Sequence, residues 1–392
     1  MKRPLLAALA AAAVAVSAPA QAQTQGVTDT EIILGAHTDL SGIFAAFGAP
    51  FVQAAQLHFD EVNAAGGIHG RQIRYIVEDH GYQVPRAVQA VNKLVNRDRI
   101  FAMFGGLGTP HNLAAFRVQD PRNVPNVSPV TAARQMLEGP EHLRYAGTAS
   151  YYDATRLAVA YMIEEQGGNN FCAMYLPTDF GEEVIHGLRD ELDARGMTLT
   201  AETQHRPDEI DFAGPLQRLR AEGCDTIAVA LGLRQIMTVT GTAKRMDWDA
   251  KFLGSSAAFH TVVAKAPGGV TEGFFASSGW QDIEKRLDNP VAAEWVQKYN
   301  AATGEQLPGT GALLGRQAAE LLVRALEDAG RDLTVESFTA AMQRIDYFDE
   351  IGGVHMRMGP GDHQAADTVF ISQVVDGSWE VIREIDASAV SN

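Results

Sequence analysis

A regular exchange between two hydrophobic periods, one strand-like and one helix-like, constrains this 392-residue chain more than any other feature. From residue 31, short β-rich segments at 31–36, 73–77, 101–104 and 124–128 alternate with stretches whose apolar residues recur three and four apart. One such stretch runs from about 50 to 65, with Phe51, Ala54, Ala55, Phe59 and Val62 on a single face. Ala65-Gly66-Gly67 closes it as a helix C-cap does. Pro85 opens the next helix and Pro110 the one after, each suited to a first helical turn. A second series follows residue 148, with helices at 151–166, 181–195, 212–222 and 234–246 and strands at 171–176, 198–203, 226–231 and 251–254. Strands linked by helices of this length pair in parallel, because the crossover lies on a sheet face and buries it. Two series therefore predict an α/β protein of two doubly wound, Rossmann-like lobes, each with its strand carboxyl ends at a crevice rim. The tail departs from this rhythm. Helices are expected at 292–302, 313–329 and 335–345 without strands between them, then a small antiparallel element from 354–358, 368–375 and 379–385.

The first residues read as a secretory signal. Lys2 and Arg3 precede an apolar run at 5–16, and Ser17-Ala18-Pro19-Ala20-Gln21-Ala22 ends in a small-x-small cleavage pattern. Cleavage after about Ala22 places the mature chain in the periplasm, and no later segment approaches the ~20 apolar residues a membrane helix needs. The remaining length exceeds the ~250–300 residues at which single cores stop growing, in agreement with two domains. A net charge of −16, from 32 basic and 48 acidic side chains, argues against nucleic acid and anionic membrane surfaces as partners. Cys172 falls in a predicted strand and Cys224 just before the next strand but one, so the two strands can be neighbours. An exported chain permits a disulfide there; two separate buried thiols are the alternative. The sequence holds no Gly-x-Ser-x-Gly, His-Glu-x-x-His or Cys-x-x-Cys, and its eleven histidines lack ligand spacing. No catalytic residue, metal or cofactor is expected.

Three spaced motifs carry a family resemblance. They are Leu40-Ser41-Gly42 with Gly48; Asn63-Ala64-Ala65-Gly66-Gly67-Ile68-His69-Gly70-Arg71 with Ile73 and Asp79; and Gly105-Gly106-Leu107-Gly108-Thr109-Pro110. Together they resemble the leucine/isoleucine/valine-binding type of periplasmic protein, the receptor component of branched-chain amino-acid ABC transporters. The similarity runs from about Thr30 to the C-terminus. It implies a type I periplasmic binding protein fold whose chain crosses three times through a hinge. Lobe 1 would be 27–148 plus 280–352, and lobe 2 149–279 plus 353–392. It also implies a monomer that closes on a small molecule and delivers it to ABC permease subunits in the inner membrane. A sensing module for a membrane kinase or chemoreceptor shares this reading, and a periplasmic amide hydrolase is a third.

The residues themselves suggest where a ligand would sit. After the strand at 101–104, glycines allow a tight turn, Thr109 stands at the N-cap and Pro110 at N1, so free N–H groups at the helix's positive end face the crevice. Without a ligand this is simply a capped helix. The resemblance assigns Thr109 and its neighbours Leu107 and Gly108 to a ligand carboxylate. It puts Val130 and Thr131 in a segment whose backbone carbonyl and Thr hydroxyl touch the polar head. Phe47 and Phe180 match aromatic positions that cover the ligand, or else are core residues, and Tyr151, Tyr152 and Asp153 lie at the first crossing, where hinge packing is the other reading. Two departures stand out: Leu233 and Ser256 occupy the places where amino-acid binders have a Tyr and a Glu for the ammonium group. Arg316-Gln317 replaces a frequent Tyr, and Arg316 or Arg234 offers a fork for a second carboxylate or else is a solvated helix residue. The expected ligand is a branched-chain or other amino acid, an aromatic or organic acid, or an amide. The departures favour an acid without an α-amino group, or an amide.

Overall fold

Seven of the eight residues of β1 (Glu31–Thr38) are buried, as a strand covered on both faces requires. The computed structural model describes residues 24–389, so the expected signal at 1–22 lies outside the described residues. Around β1 stand β2 (Gln72–Asp79), β3 (Ala102–Phe104), β4 (Asn126–Val127) and β5 (Arg144–Tyr145), in the order β2-β1-β3-β4-β5 and all parallel. The helices α1 (Ala45–Ala64), α2 (Val84–Asn92) and α3 (Thr109–Gln119) make the crossovers. Helix α1 begins at Ala45, five residues before the expected start, and carries Pro50 inside it.

The second lobe contains α4 (Tyr151–Glu164), β6 (Phe171–Tyr175), α5 (Asp179–Ala194), β7 (Ala201–Gln204), α6 (Ala213–Ala221), β8 (Thr226–Ala230), α7 (Leu233–Arg245), β9 (Lys251–Gly254), the short α8 (Thr261–Ala264) and β10 (Phe275–Ser278). Strands β6 and β8 are parallel neighbours, and Cys172 and Cys224 are joined in a disulfide that fastens the loop before β8 to β6. Both cysteines are buried.

The tail serves both lobes. Helices α9 (Pro290–Thr303), α10 (Thr310–Ala329) and α11 (Val335–Met342) follow β10, and α10 lies along α1. A Cβ on Gly311 or Gly315 would stand 2.4 Å from the Phe47 carbonyl and 2.2 Å from that of Phe51, so only glycine admits this approach. The strands after 346 form two elements rather than the single antiparallel one expected. β11 (Asp346–Asp349) and β12 (Val354–Arg357) make a hairpin whose Val354 and Met356 join the first lobe's core with Phe59 and Phe104. β13 (Thr368–Val375) and β14 (Ser378–Asp386) instead extend the second sheet, which runs β14-β13-β10-β9-β8-β6-β7. The expected division at 352/353 falls inside the hairpin, and the chain reaches the second sheet only at β13. Two doubly wound α/β lobes, with the chain passing between them three times, constitute the type I periplasmic binding protein fold. No described helix is long and apolar enough to cross a membrane.

Candidate functional site

The loop after β3 is held by backbone hydrogen bonds to two other segments. Leu107 N–H donates to the His37 carbonyl and Gly108 N–H to the Val130 carbonyl, while Val130 N–H donates back to the Gly106 carbonyl. Gly105 and Gly108 take φ of +72° and +94°, where a side chain is strained, and a Cβ on Gly108 would stand 2.4 Å from His111 Nδ1. Gly108, not Thr109, is the N-cap of α3, and Pro110 takes the second helical position. The Asn112 amide explains the shift, because it donates to the Gly106 and Gly108 carbonyls and locks the turn from within the helix. Thr109 is thereby released from capping, and its Oγ1 lies 2.7 Å from Thr131 Oγ1. The first amides of a helix have no intrahelical acceptor. Thr109 thus combines an unused N–H with a hydroxyl at the positive end of α3.

A cavity with about 810 Å³ of atom-free space opens there, between the lobes and partly toward solvent. Leu107, Gly108, Thr109, Val130 and Thr131 form its floor, with Phe47 above them. The second lobe supplies Phe180 and Ser256. These eight residues singled out from the sequence therefore share one cavity. Tyr152, Leu233, Arg234 and Arg316 do not, and Arg234 is exposed on α7. Tyr152 turns outward, its hydroxyl donating to Asp190 and its ring under Arg134; the helical turn points its neighbour Tyr151 into the cavity instead. Leu233 is buried in the second lobe's core as the first residue of α7. Arg316 pairs with Glu320 at 2.9 Å, one turn along α10, and the adjacent Gln317 lines the cavity. Trp280, Ser128, Tyr82, Phe44 and Met356 also reach it. Gln317 adjoins Arg316, and Ser128 stands two residues before Val130, so one or two steps along the chain separate them from the residues singled out. Trp280 comes from the connection after β10, which no periodicity marks, and Met356 from β12, a strand that was expected but assigned to a different element.

Behind the floor lie three buried histidines. His80 stacks on His111 at 4.4 Å between ring centroids, and His37 stands 5.6 Å from His80. The Tyr82 N–H donates to His80 Nδ1, which places the His80 proton on Nε2, from where it donates to the Leu107 carbonyl. Burial, with the neighbouring rings adding to it, holds His37 well below its usual value; burial first holds His80 and His111 at about 4. All three are neutral supports of the loop at neutral pH. Among the described residues no group of three His, Cys, Asp or Glu can hold a metal.

The lobes also meet beside the cavity. Pro50 has no N–H to give the Ala46 carbonyl one turn back. His260 of the second lobe donates to that carbonyl from Nε2, at 3.1 Å, while its Nδ1 accepts from Val262 N–H. Its ring packs edge-on against Phe47 at 4.7 Å. On the other side Arg134 reaches Glu183 of α5 with two guanidinium nitrogens, at 2.8 and 3.1 Å, and with its backbone N–H.

The sequence profile of a family described as periplasmic binding protein matches residues 31–378. The chain belongs to that family. Its relatives include an amino acid binding protein of Pseudomonas aeruginosa, 23% identical over 205 residues that make up 52% of this chain and 54% of that one. The chain thus spans about half the length of that relative. A Leu/Ile/Val-binding protein homolog of Brucella abortus is 22% identical over 362 residues, covering 88% of this chain and 89% of the relative. Among solved structures, a fatty acid ABC transporter substrate-binding protein from Thermomonospora curvata superposes with a TM-score of 0.84 at 24% identity. That superposition covers 94% of this chain and 96% of the other. The chain is a solute-binding protein of the leucine/isoleucine/valine-binding type, and family and relatives alike indicate a periplasmic location.

Proposed function

We propose that this protein is the extracytoplasmic receptor of an ABC importer, capturing a small carboxylate-bearing molecule in the interlobe cavity by hinge closure. The observation that carries the reading is Thr109, whose hydroxyl and helix-end amide stand at the floor of an aromatic-walled cavity between two lobes. A carboxylate there accepts from that amide and the Thr109 and Thr131 hydroxyls, and it complements the helix dipole. Ring faces on both walls bury the ligand's body once the lobes meet. Contacts such as His260 to Ala46 span the lobes, so a ligand touching both walls favours the joined arrangement, and permease subunits in the inner membrane read that surface. The protein works as a periplasmic monomer after cleavage near Ala22, binds one ligand and leaves it chemically unchanged.

Calorimetry on Thr109→Ala tests the reading. Affinity for a carboxylate that binds the unaltered protein falls by about 1.5–3 kcal/mol, the worth of a hydrogen bond to a charged group. Equal affinity would remove Thr109 from the site.

A further inference from the structure

The cavity favours one sign of charge only, and we infer from it that the ligand is an aromatic monocarboxylate without an amine, carrying a hydroxyl or keto oxygen away from its acid group. This rests on the receptor reading above and narrows it to a ligand class.

No Asp, Glu, Lys, Arg or His lines the cavity among the described residues. Carboxylates stand behind its walls, but each is engaged. Asp39 accepts from the Ser41, Gly42 and Phe44 amides. Asp349 accepts from the Gln317 side chain and the Ile351 and Gly352 amides. Glu183 is held by Arg134. An ammonium group taken into the cavity loses its water and meets no counter-charge, which costs several kcal/mol unless something pairs it. A carboxylate has the start of α3 to meet it. The same cavity therefore accepts an acid and rejects its α-amino counterpart.

Aromatic character follows from the walls, where seven aromatic side chains gather, Phe47, Phe180 and Trp280 among them. The second oxygen follows from two lining residues with buried polar atoms that have no partner, Trp280 Nε1 and Ser128 Oγ. An indole N–H only donates, so it calls for an acceptor on the ligand. Ser128 holds φ at +46°, a region unfavourable for a side-chain-bearing residue, and its hydroxyl is still unpaired. Buried polar atoms are nearly always satisfied, and a ligand oxygen satisfies these.

The test is calorimetry on the whole mature protein, stripped of carried-over ligand by unfolding and refolding. The probes are 3-(4-hydroxyphenyl)propanoate, 3-phenylpropanoate, 3-(4-hydroxyphenyl)propanamide and tyrosine. The hydroxylated acid is expected to bind at least about tenfold tighter than tyrosine and about tenfold tighter than the unsubstituted acid, one hydrogen bond's worth. Trp280→Phe is expected to erase the second difference while acid and tyrosine stay apart; Ser256→Glu, which adds a carboxylate to the second wall, is expected to bring tyrosine closer to the acid. Tyrosine binding as tightly as the acid overturns the inference and leaves the receptor reading standing. An unchanged hydroxyl preference in Trp280→Phe overturns the assignment of the second oxygen. Binding of the amide alone, or of no probe, overturns the carboxylate-receptor reading itself.

Discussion

Replacing His260 by Phe probes closure through a single carbonyl at the seam between the lobes. Pro50 leaves the Ala46 carbonyl without its helical donor, and His260 supplies one from the other lobe at 3.1 Å. Phe keeps a ring against Phe47 but brings no N–H. When the lobes are apart, water satisfies Ala46; when they meet, the half-buried carbonyl loses its cross-lobe donor, at a net cost of about 0.5–1.5 kcal/mol. That cost falls on the closed form alone, so ligand affinity drops by about 2- to 12-fold. The Val262 N–H that His260 Nδ1 accepts also loses its partner, but it lies within the second lobe and weakens both forms alike. Pro50→Ala separates the two effects, because this substitution restores an intrahelical N–H donor for the Ala46 carbonyl. In calorimetry the double variant is expected to regain most of the lost affinity. A single variant that binds normally, or a double variant that stays as weak as the single, would refute the argument.

Acid destabilises this protein through its buried imidazoles. His80, His111 and His260 remain neutral to about pH 4 when folded, chiefly through burial, against 6.5 for a free ring. The unfolded chain therefore takes up protons below pH 6.5 and the folded one does not, so stability is lost as pH falls through that window and is unaffected by these rings above it. The loss is about 2 kcal/mol per ring at pH 5. Urea midpoints at pH 7 and pH 5 measure it, and equal midpoints would contradict the buried neutral rings. Reducing the Cys172–Cys224 bond, which spans 52 residues, is expected to cost about 4 kcal/mol in the chain-entropy estimate. Denaturation with and without dithiothreitol reads it; identical curves would mean that the bond contributes nothing. Gly106→Ala would put a Cβ 2.7 Å from His37 Nε2 and 2.8 Å from Asn112 Oδ1, and is expected to lower the melting midpoint by several degrees as the loop shifts. A midpoint equal to that of the unaltered protein would show a looser floor than the geometry implies.

Periodicity made the two lobes legible, because a parallel strand buried on both faces reads as a largely apolar run, and β6 and β8 are such runs. The strands that were not anticipated are short or polar. β5 is two residues long, β10 reads Phe-Ala-Ser-Ser, and β11 places Asp at both ends. Pairing partners, not composition, make them strands. The fate of β12, β13 and β14 was equally hidden, since alternation says that a strand has two faces and nothing about which sheet it joins. Within the site, the Gly-Gly-Leu-Gly-Thr-Pro segment announced a helix start, but the cap fell one residue earlier because Asn112 locks the turn through its side chain. Tyr152 and Arg316 illustrate a sharper limit. Each stands next to a residue that does line the cavity, and one residue along a helix rotates a side chain by about 100°. Leu233 failed for another reason: the second lobe's core claims it. The histidines behind the floor had no sequence signal, since His37, His80 and His111 are far apart in the chain and meet only through the fold.

A crystal structure of the protein with a bound acid tests the central claim most directly. The account predicts a carboxylate oxygen about 3 Å from the Thr109 amide and hydroxyl, with the ligand's ring between Phe47 and Phe180. A ligand lodged elsewhere, or one bound with its acid group turned away from the start of α3, would contradict it.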